Sequence, residues 1–313
     1  MKGKIGLEEH FAIEDTIMDS HGFLSERVWP ELKSRLLDIQ EKRISFMDEY
    51  GVEMMILSLN APAIQAIPDP HLANETAQKS NDFLAAEIQK RPDRFAGLAA
   101  LPMQDAEAAI QELERCAQDL GFVGVLVNGF SQISDPDTAV YLDLEQYRPF
   151  WQKVEQLEMP FYLHPRNPLS IHAQIYEGHP WLLGPTWAFG QETAVHALRL
   201  ICSGLFDDCP NLKIILGHMG EGLPFLMWRI NHSFGPIIPN QGKMTGFKDI
   251  FTKHFHITTS GNFSDSALLC TMMEMGSDRI IYSVDWPYVD NTPGAEWIKT
   301  IPLGKEDLEK ILN

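Results

Sequence analysis

A chain of 313 residues with a formal net charge of −18 has no basic face to offer nucleic acid or an anionic membrane. Its 44% hydrophobic and 22% charged residues are the balance of a folded protein with a sizeable core, and no apolar run reaches membrane-span length. Cys116, Cys202, Cys209 and Cys270 show no CxxC spacing and the N-terminus has no signal-like apolar run, which fits reduced thiols in a cytoplasmic protein. An anionic substrate stays open, because a cation at the bottom of a cleft governs its local field.

The first element is the apolar run at 4–8, which ends in Glu8-Glu9-His10. Alternation along a strand turns Glu8 and His10 to one face and Glu9 to the other. Further strands are expected at 52–59, 95–101, 122–128, 159–164, 212–217, 254–259 and 278–284. Most are continuous apolar runs, as parallel strands covered on both faces should be. Between them, helical periods run over 31–50, 71–90, 105–120, 147–158, 190–204, 221–232 and 264–275, with a last one from about 305. Gly51, Gly121 and Gly276 fall where helix C-terminal caps belong. Strand–helix alternation without a composition break predicts one domain over 1–313, an α/β (β/α)₈ TIM barrel. An open doubly wound sheet would carry a glycine-rich phosphate loop after its first strand, where this chain has Glu8-Glu9-His10. Two connections are long: 165–189, rich in Pro, Gly and aromatics, and the Pro/Gly stretch 233–247. Such loops in barrels serve as lids, substrate walls or subunit contacts.

Barrel enzymes work at the C-terminal ends of their strands. Those ends read Glu8 and His10, then Asn60, Pro102, Asn128, His164, His218, Ser260 and Asp285. Glu8, His10, His164 and Asp285, from strands one, five and eight, make a mixed oxygen and nitrogen ligand set for one divalent cation. Such a set suits Zn²⁺, Mn²⁺ or Fe²⁺, with Mn²⁺ and Zn²⁺ leading and Mg²⁺ a weaker fit. Lone histidines such as His71, His172 and His196 read instead as ordinary loop or core residues. His218 and Glu221 stand three apart; if Glu221 opens the next helix, its carboxylate folds back on the imidazole and fixes its charge and tautomer.

The segments GLEEHF at 6–11, YLHPRNP at 162–168, LGHMGEGLPFLMWRI at 216–230, TTSGNF at 258–263 and YSVDWPY at 282–288 resemble the metal-dependent decarboxylase branch of the amidohydrolase superfamily. RPDRF at 91–95, LVNGFSQ at 126–132 and HPWLLGPTWAF at 179–189 resemble its subgroup acting on 2,6-dihydroxybenzoate (γ-resorcylate). Hydrolytic relatives open with His-x-His; Glu8-x-His10 fits the decarboxylases. Members of this kind continue past the position of Asn313 through a short helical tail. The resemblance implies a mononuclear metal, no organic cofactor, a homotetramer, and non-oxidative loss of CO₂ from a hydroxylated benzoate. It also implies that Asp285 delivers the proton to the ring carbon, that Arg229 stands on the substrate side, and that His218 with Glu221 serves the substrate's oxygens. Asn128, at the end of strand four, is placed to donate to a ring hydroxyl, and Phe23 and Trp187 to wall the ring or to serve as core or subunit contacts. The substrate partner is thus a small aromatic carboxylic acid. Acids of sister decarboxylases (2,3-dihydroxybenzoate, salicylate, a carboxyvanillate, a muconate semialdehyde) stay open, as do a metal hydrolase and a non-catalytic barrel.

Overall fold

The computed structural model describes residues 3–23, 26–237 and 246–313. Eight parallel strands follow chain order around one sheet: β1 Lys4–Phe11, β2 Val52–Leu59, β3 Phe95–Ala99, β4 Gly124–Asn128, β5 Phe161–His164, β6 Ile214–Leu216, β7 Phe255–Thr258 and β8 Ile280–Ile281. The sheet closes where Glu9 bridges Trp286. There the His10 N–H donates to Trp286 O at 2.6 Å and the Asp285 N–H donates to Glu8 O at 3.1 Å. The fold is the expected (β/α)₈ TIM barrel, and each expected strand lies within or across an observed one.

Alternation sorts side chains into two layers. Val125, Val127, Phe161, Leu163, Ile214 and Leu216 point outward into the main core beneath the helices. Leu126, Tyr162 and Ile215 point inward, where they pack with Leu7 and Leu98. β1 is irregular against β2 at Lys4/Ile5 and again further along. Its register against β2 slips between Gly6 and Glu9, a β-bulge that carries one extra residue. Below the bulge Leu7 plugs the barrel interior; above it Glu8 and His10 face the same interior. Gly6 lies on the outer face with Glu9, where a β-carbon would stand 3.0 Å from the Glu9 Cδ.

The helices differ from the sequence expectation in four places. The expected helix 31–50 is two, Trp29–Leu37 and Lys42–Tyr50. Asp38 is extended between them, and its carboxylate accepts from Glu41 N–H at 3.1 Å and Arg43 N–H at 3.4 Å, capping the second helix. Among the described residues three α-helices were not expected, the first being the single turn Leu205–Asp208. Phe247–His254 buries Phe247, Ile250, Phe251 and His254 along one face, and Asn291–Thr300 starts from an Asp290 cap. Gly51 and Gly276 are C-caps as expected, and Gly121, at φ 69°, follows Asp119 with the Phe122 N–H reaching back to Cys116 O at 3.0 Å. A short antiparallel ribbon, Ser131–Ile133 with Asp135–Val140, follows β4. The loop 165–189 is built of four short 3₁₀ turns. In the 233–247 stretch, Leu223–Ile237 is a helix that runs into its start, and 238–245 lie outside the described residues. Among the described residues no helix is long and apolar enough to cross a membrane.

Candidate active site

The inward side chains above the bulge meet those at the ends of β5, β6 and β8. Glu8 Oε1 lies 3.2 Å from His164 Nε2, 3.9 Å from His10 Nε2 and 3.7 Å from His218 Nε2. Asp285 closes the group, with Oδ1 3.4 Å from His10 Nε2 and Oδ2 3.9 Å from His218 Nε2. Glu8 and His10 are fully buried, whereas the side chains of His218 and Asp285 are 24% and 14% exposed. A ligand therefore reaches the cluster along its His218–Asp285 edge, beside which a cleft lined by Met219, Phe225 and Asn262 opens.

Glu8 and His10 are held from behind, whereas His164 Nδ1 is buried without a hydrogen-bond partner. Glu8 Oε2 accepts from the hydroxyls of Tyr162 and Ser260, and from Thr258 Oγ1 at 3.3 Å. His10 Nδ1 meets Ser58 Oγ at 3.1 Å. Neither Tyr162 nor Ser58 was singled out from the sequence, although Tyr162 is the inward residue two before His164 and alternation alone would have marked it. Glu9 faces outward and accepts from Val284 N–H and Ser283 Oγ, both at 3.1 Å, and from Trp286 N–H at 3.0 Å. Burial pushes the Glu9 carboxyl up to about 7, against the pull of those N–H groups and of Arg43.

The electrostatics are those of buried carboxylates and imidazoles sharing protons. Burial opposes ionisation of Glu8, yet His218, His10 and His164 outweigh it and hold its carboxyl well below the usual range. Burial likewise opposes charge on His10, but the neighbouring Asp285 and Glu8 carboxylates push its imidazole up to about 9. His164 is lowered, chiefly by burial.

His218 and Glu221 pair by a route the sequence did not indicate. The helix starts at Leu223, two residues after Glu221. His218, Met219, Gly220, Glu221 and Gly222 all have positive φ, between 52° and 80°. This left-handed turn, costly for residues with a β-carbon, brings His218 Nδ1 to 2.7 Å from Glu221 Oε1. The Met219 N–H donates to Thr258 O at 2.9 Å and pins the turn to β7. Burial resists charge on His218, but Glu221, Glu8 and Asp285 together raise its pKa well above the usual value.

The remaining sequence-marked residues divide. Asn128 is buried beside His164 across the β4–β5 pair. Its Nδ2 donates to Asn60 O at 3.1 Å and Pro62 O at 3.3 Å, which leaves Oδ1 buried without a partner. The vacant atom is an acceptor, where the sequence suggested a donor. Arg229 is exposed on the helix Leu223–Ile237, with no hydrogen bond or ion pair to the cluster. Trp187 is 55% exposed at the start of the helix Ala188–Cys202. The Phe23 side chain lies outside the described residues. His71 and His172 are exposed, and His196 is a core histidine whose Nε2 accepts from Leu142 N–H at 3.1 Å.

Glu8 Oε1 and His10 Nε2 are buried without hydrogen-bond partners, although they face an imidazole and a carboxylate. Glu8, His10 and His164 offer ligand atoms within 4.8 Å of one another. Buried oxygen and nitrogen atoms at such separations, with no thiolate among them, fit a divalent ion of the Mn²⁺ or Zn²⁺ type.

Known proteins resemble this chain in sequence and fold. The chain is 58% identical to the gamma-resorcylate decarboxylase of Polaromonas sp. (strain JS666 / ATCC BAA-500), over 99% of this chain and 96% of that protein. Its fold matches a crystal structure of 2,6-dihydroxybenzoate decarboxylase complexed with 2,6-dihydroxybenzoate, at TM-score 0.97 and 57% identity, over 100% of this chain and 97% of the other. It matches equally, at TM-score 0.97 and 58% identity over 100% and 95%, a dihydroxybenzoic acid decarboxylase from Polaromonas sp. JS666 with bound manganese and the inhibitor 2-nitroresorcinol. The sequence profile described as Amidohydrolase covers residues 18–313. By its barrel, and by a likeness that runs almost end to end, the chain belongs to the amidohydrolase family, on the branch of the gamma-resorcylate decarboxylases.

Proposed function

We infer that this chain is a carboxy-lyase converting 2,6-dihydroxybenzoate to resorcinol and CO₂, reversibly and without an organic cofactor. What carries the reading is near-full-length likeness to gamma-resorcylate decarboxylases, joined to a buried Glu8–His10–His164 cluster with Asp285 on its open edge. In this reading the whole chain acts as one catalytic domain, in the cytoplasm.

Glu8, His10, His164 and Asp285 hold one divalent ion, Mn²⁺ or Zn²⁺. Bound there, such an ion supplies Lewis acidity to the carboxylate and one ortho oxygen of the acid. The chain's own groups do the rest. Direct loss of CO₂ would leave an electron pair in an aryl sp² orbital, so the ring carbon is protonated first. Asp285 takes the proton of the ortho phenol and passes it to the carbon bearing the carboxylate. The bond to the carboxylate then breaks, its electron pair restores the aromatic ring, and CO₂ leaves. The phenolate takes a proton from solvent. His218, kept cationic by Glu221, faces the charge on the substrate's oxygens. Asn128 Oδ1 accepts from the second ring hydroxyl, Arg229 faces the substrate's outer side, and Trp187 walls the ring.

The test is incubation of Mn²⁺-replete protein with 2,6-dihydroxybenzoate and chromatography for resorcinol. Turnover of another hydroxybenzoate, or of a lactone or amide without CO₂, would replace this reading.

Glu221→Gln should lower turnover while leaving metal content near normal. Without the carboxylate, His218 loses its proton at lower pH, so the alkaline limb of the kcat/KM profile should move down. Loss of metal in that variant would instead place the pair among the ligands.

Metal uptake should depend on pH. In the metal-free protein His10 keeps its proton up to about pH 9, and a ligand imidazole must lose it. Below about pH 9 the affinity should therefore rise with pH, with about one proton released from His10 per ion. Calorimetry in buffers of differing ionisation enthalpy would show this; uptake without proton release would contradict it.

The homotetramer implied by the resemblance finds support in apolar surface. Phe225 and Trp228 are 82% and 73% exposed on one helix, and Met273 is 86% exposed on the adjoining one. Ile175 and Trp181 are exposed in the loop 165–189. Light scattering should give four times the mass of one chain; a monomer mass at micromolar concentration ends this assignment.

A further inference from the structure

We propose that Glu9, which faces away from the metal-ligand cluster, is a positioning residue for Asp285. Its carboxylate holds the turn that aims Asp285 into the site.

Asp285 has φ 76°, a left-handed conformation that a residue with a β-carbon adopts only when its surroundings impose it. The pairing of β8 with β7 covers only Ile280 and Ile281, so it ends before this turn. The turn's three successive N–H groups all go to β1. Val284 N–H donates to Glu9 Oε1 at 3.1 Å and Trp286 N–H to Glu9 Oε2 at 3.0 Å, on either side of Asp285. The N–H of Asp285 donates to Glu8 O at 3.1 Å. One planar carboxylate thus spans the turn and fixes the spacing of the residues flanking Asp285. The surroundings are built for it. Ser283 Oγ donates to Glu9 Oε1 at 3.1 Å and also meets the Glu8 backbone. Buried Arg43 is the nearby cation, and donates to His10 O at 2.6 Å. Gly6 leaves the space that the Glu9 side chain occupies. Consecutive residues of one strand therefore do two tasks: Glu8 and His10 present inward ligands, and Glu9 places the ligand arriving from the far end of the chain.

Glu9→Gln tests this, because the amide keeps the size but turns one acceptor into a donor facing an N–H. The Mn²⁺ dissociation constant, from the EPR signal of free Mn²⁺, should rise about 10- to 100-fold, and kcat should fall in the same range with KM little changed. In an Asp285→Ala background the Glu9 substitution should have no further effect on Mn²⁺ affinity, since its target is gone. Gly6→Ala presses on the same carboxylate from behind and should give the same signature should Glu9→Gln fail to fold. Wild-type Mn²⁺ affinity and turnover in a folded variant would overturn the proposal. So would additive effects in the Asp285→Ala background, or unfolding of both variants, either of which would make Glu9 a residue of general stability. The proposal rests on Asp285 being a metal ligand; unchanged Mn²⁺ affinity in Asp285→Ala alone would refute that assignment, and is read separately from the Glu9 effect.

Discussion

Asp285→Asn should give a folded protein that keeps part of its metal and loses about 10³-fold or more in kcat. The amide retains an oxygen at the position 3.4 Å from His10 Nε2, so a weakened ligand remains. What it lacks is a proton to hand over. Its effect on KM should be much smaller than on kcat, because the interaction removed matters when the ring carbon takes the proton. In D₂O the wild type should place one deuterium on the carbon that carried the carboxylate, visible by mass spectrometry and proton NMR of the product. Turnover should also slow if that transfer limits the rate. Near-wild-type turnover in the metal-loaded variant would reduce Asp285 to a ligand, and His218, 3.9 Å away, becomes the next proton donor to test.

Gly217→Ala should abolish tight metal binding through a single added methyl group. A β-carbon at Gly217 would lie 2.9 Å from Glu8 Oε2, 3.1 Å from the Tyr162 hydroxyl oxygen and 3.3 Å from Ser260 Oγ. Glu8 cannot swing aside without breaking its bonds from Tyr162, Ser260 and Thr258, so Oε1 shifts as well. Metal affinity should fall about 100-fold, while overpacking lowers stability by about 1–3 kcal/mol. Gly304→Ala, where a β-carbon meets nothing within 4 Å, is the control and should change neither. Unaltered metal affinity in Gly217→Ala would show that Glu8 has room to move that the packing denies it.

The barrel was legible because its strands are buried on both faces and read as continuous apolar runs such as Phe161–His164. The strand ends were legible for the same reason, since a polar residue closing an apolar run stands out. The bulge in β1 was not, because register belongs to a pair of strands and β1 alone carries no mark of it. The left-handed turn at 218–222 was half visible. Gly220 and Gly222 announce a turn, but nothing announces positive φ at His218 and Glu221, which residues with a β-carbon rarely adopt. The break at Asp38 was hidden because neither proline nor glycine marks it. The helix Asn291–Thr300 was hidden for the opposite reason. Pro293 and Gly294 read as loop, although a proline soon after a capping aspartate is how many helices begin.

The barrel's closure carries a thermodynamic consequence. Between β1 and the end of the chain the sheet is joined by one backbone bridge and the side chains around Glu9, where other neighbours share longer ladders. The ladder is shortest at this seam. In the proposed reading, an ion held by Glu8 and His10 on one side and Asp285 on the other would clamp both edges, and its binding energy would become resistance to opening. At a hundredfold excess of free metal over its Kd that resistance would be about 2.7 kcal/mol, so the thermal midpoint should rise with metal concentration.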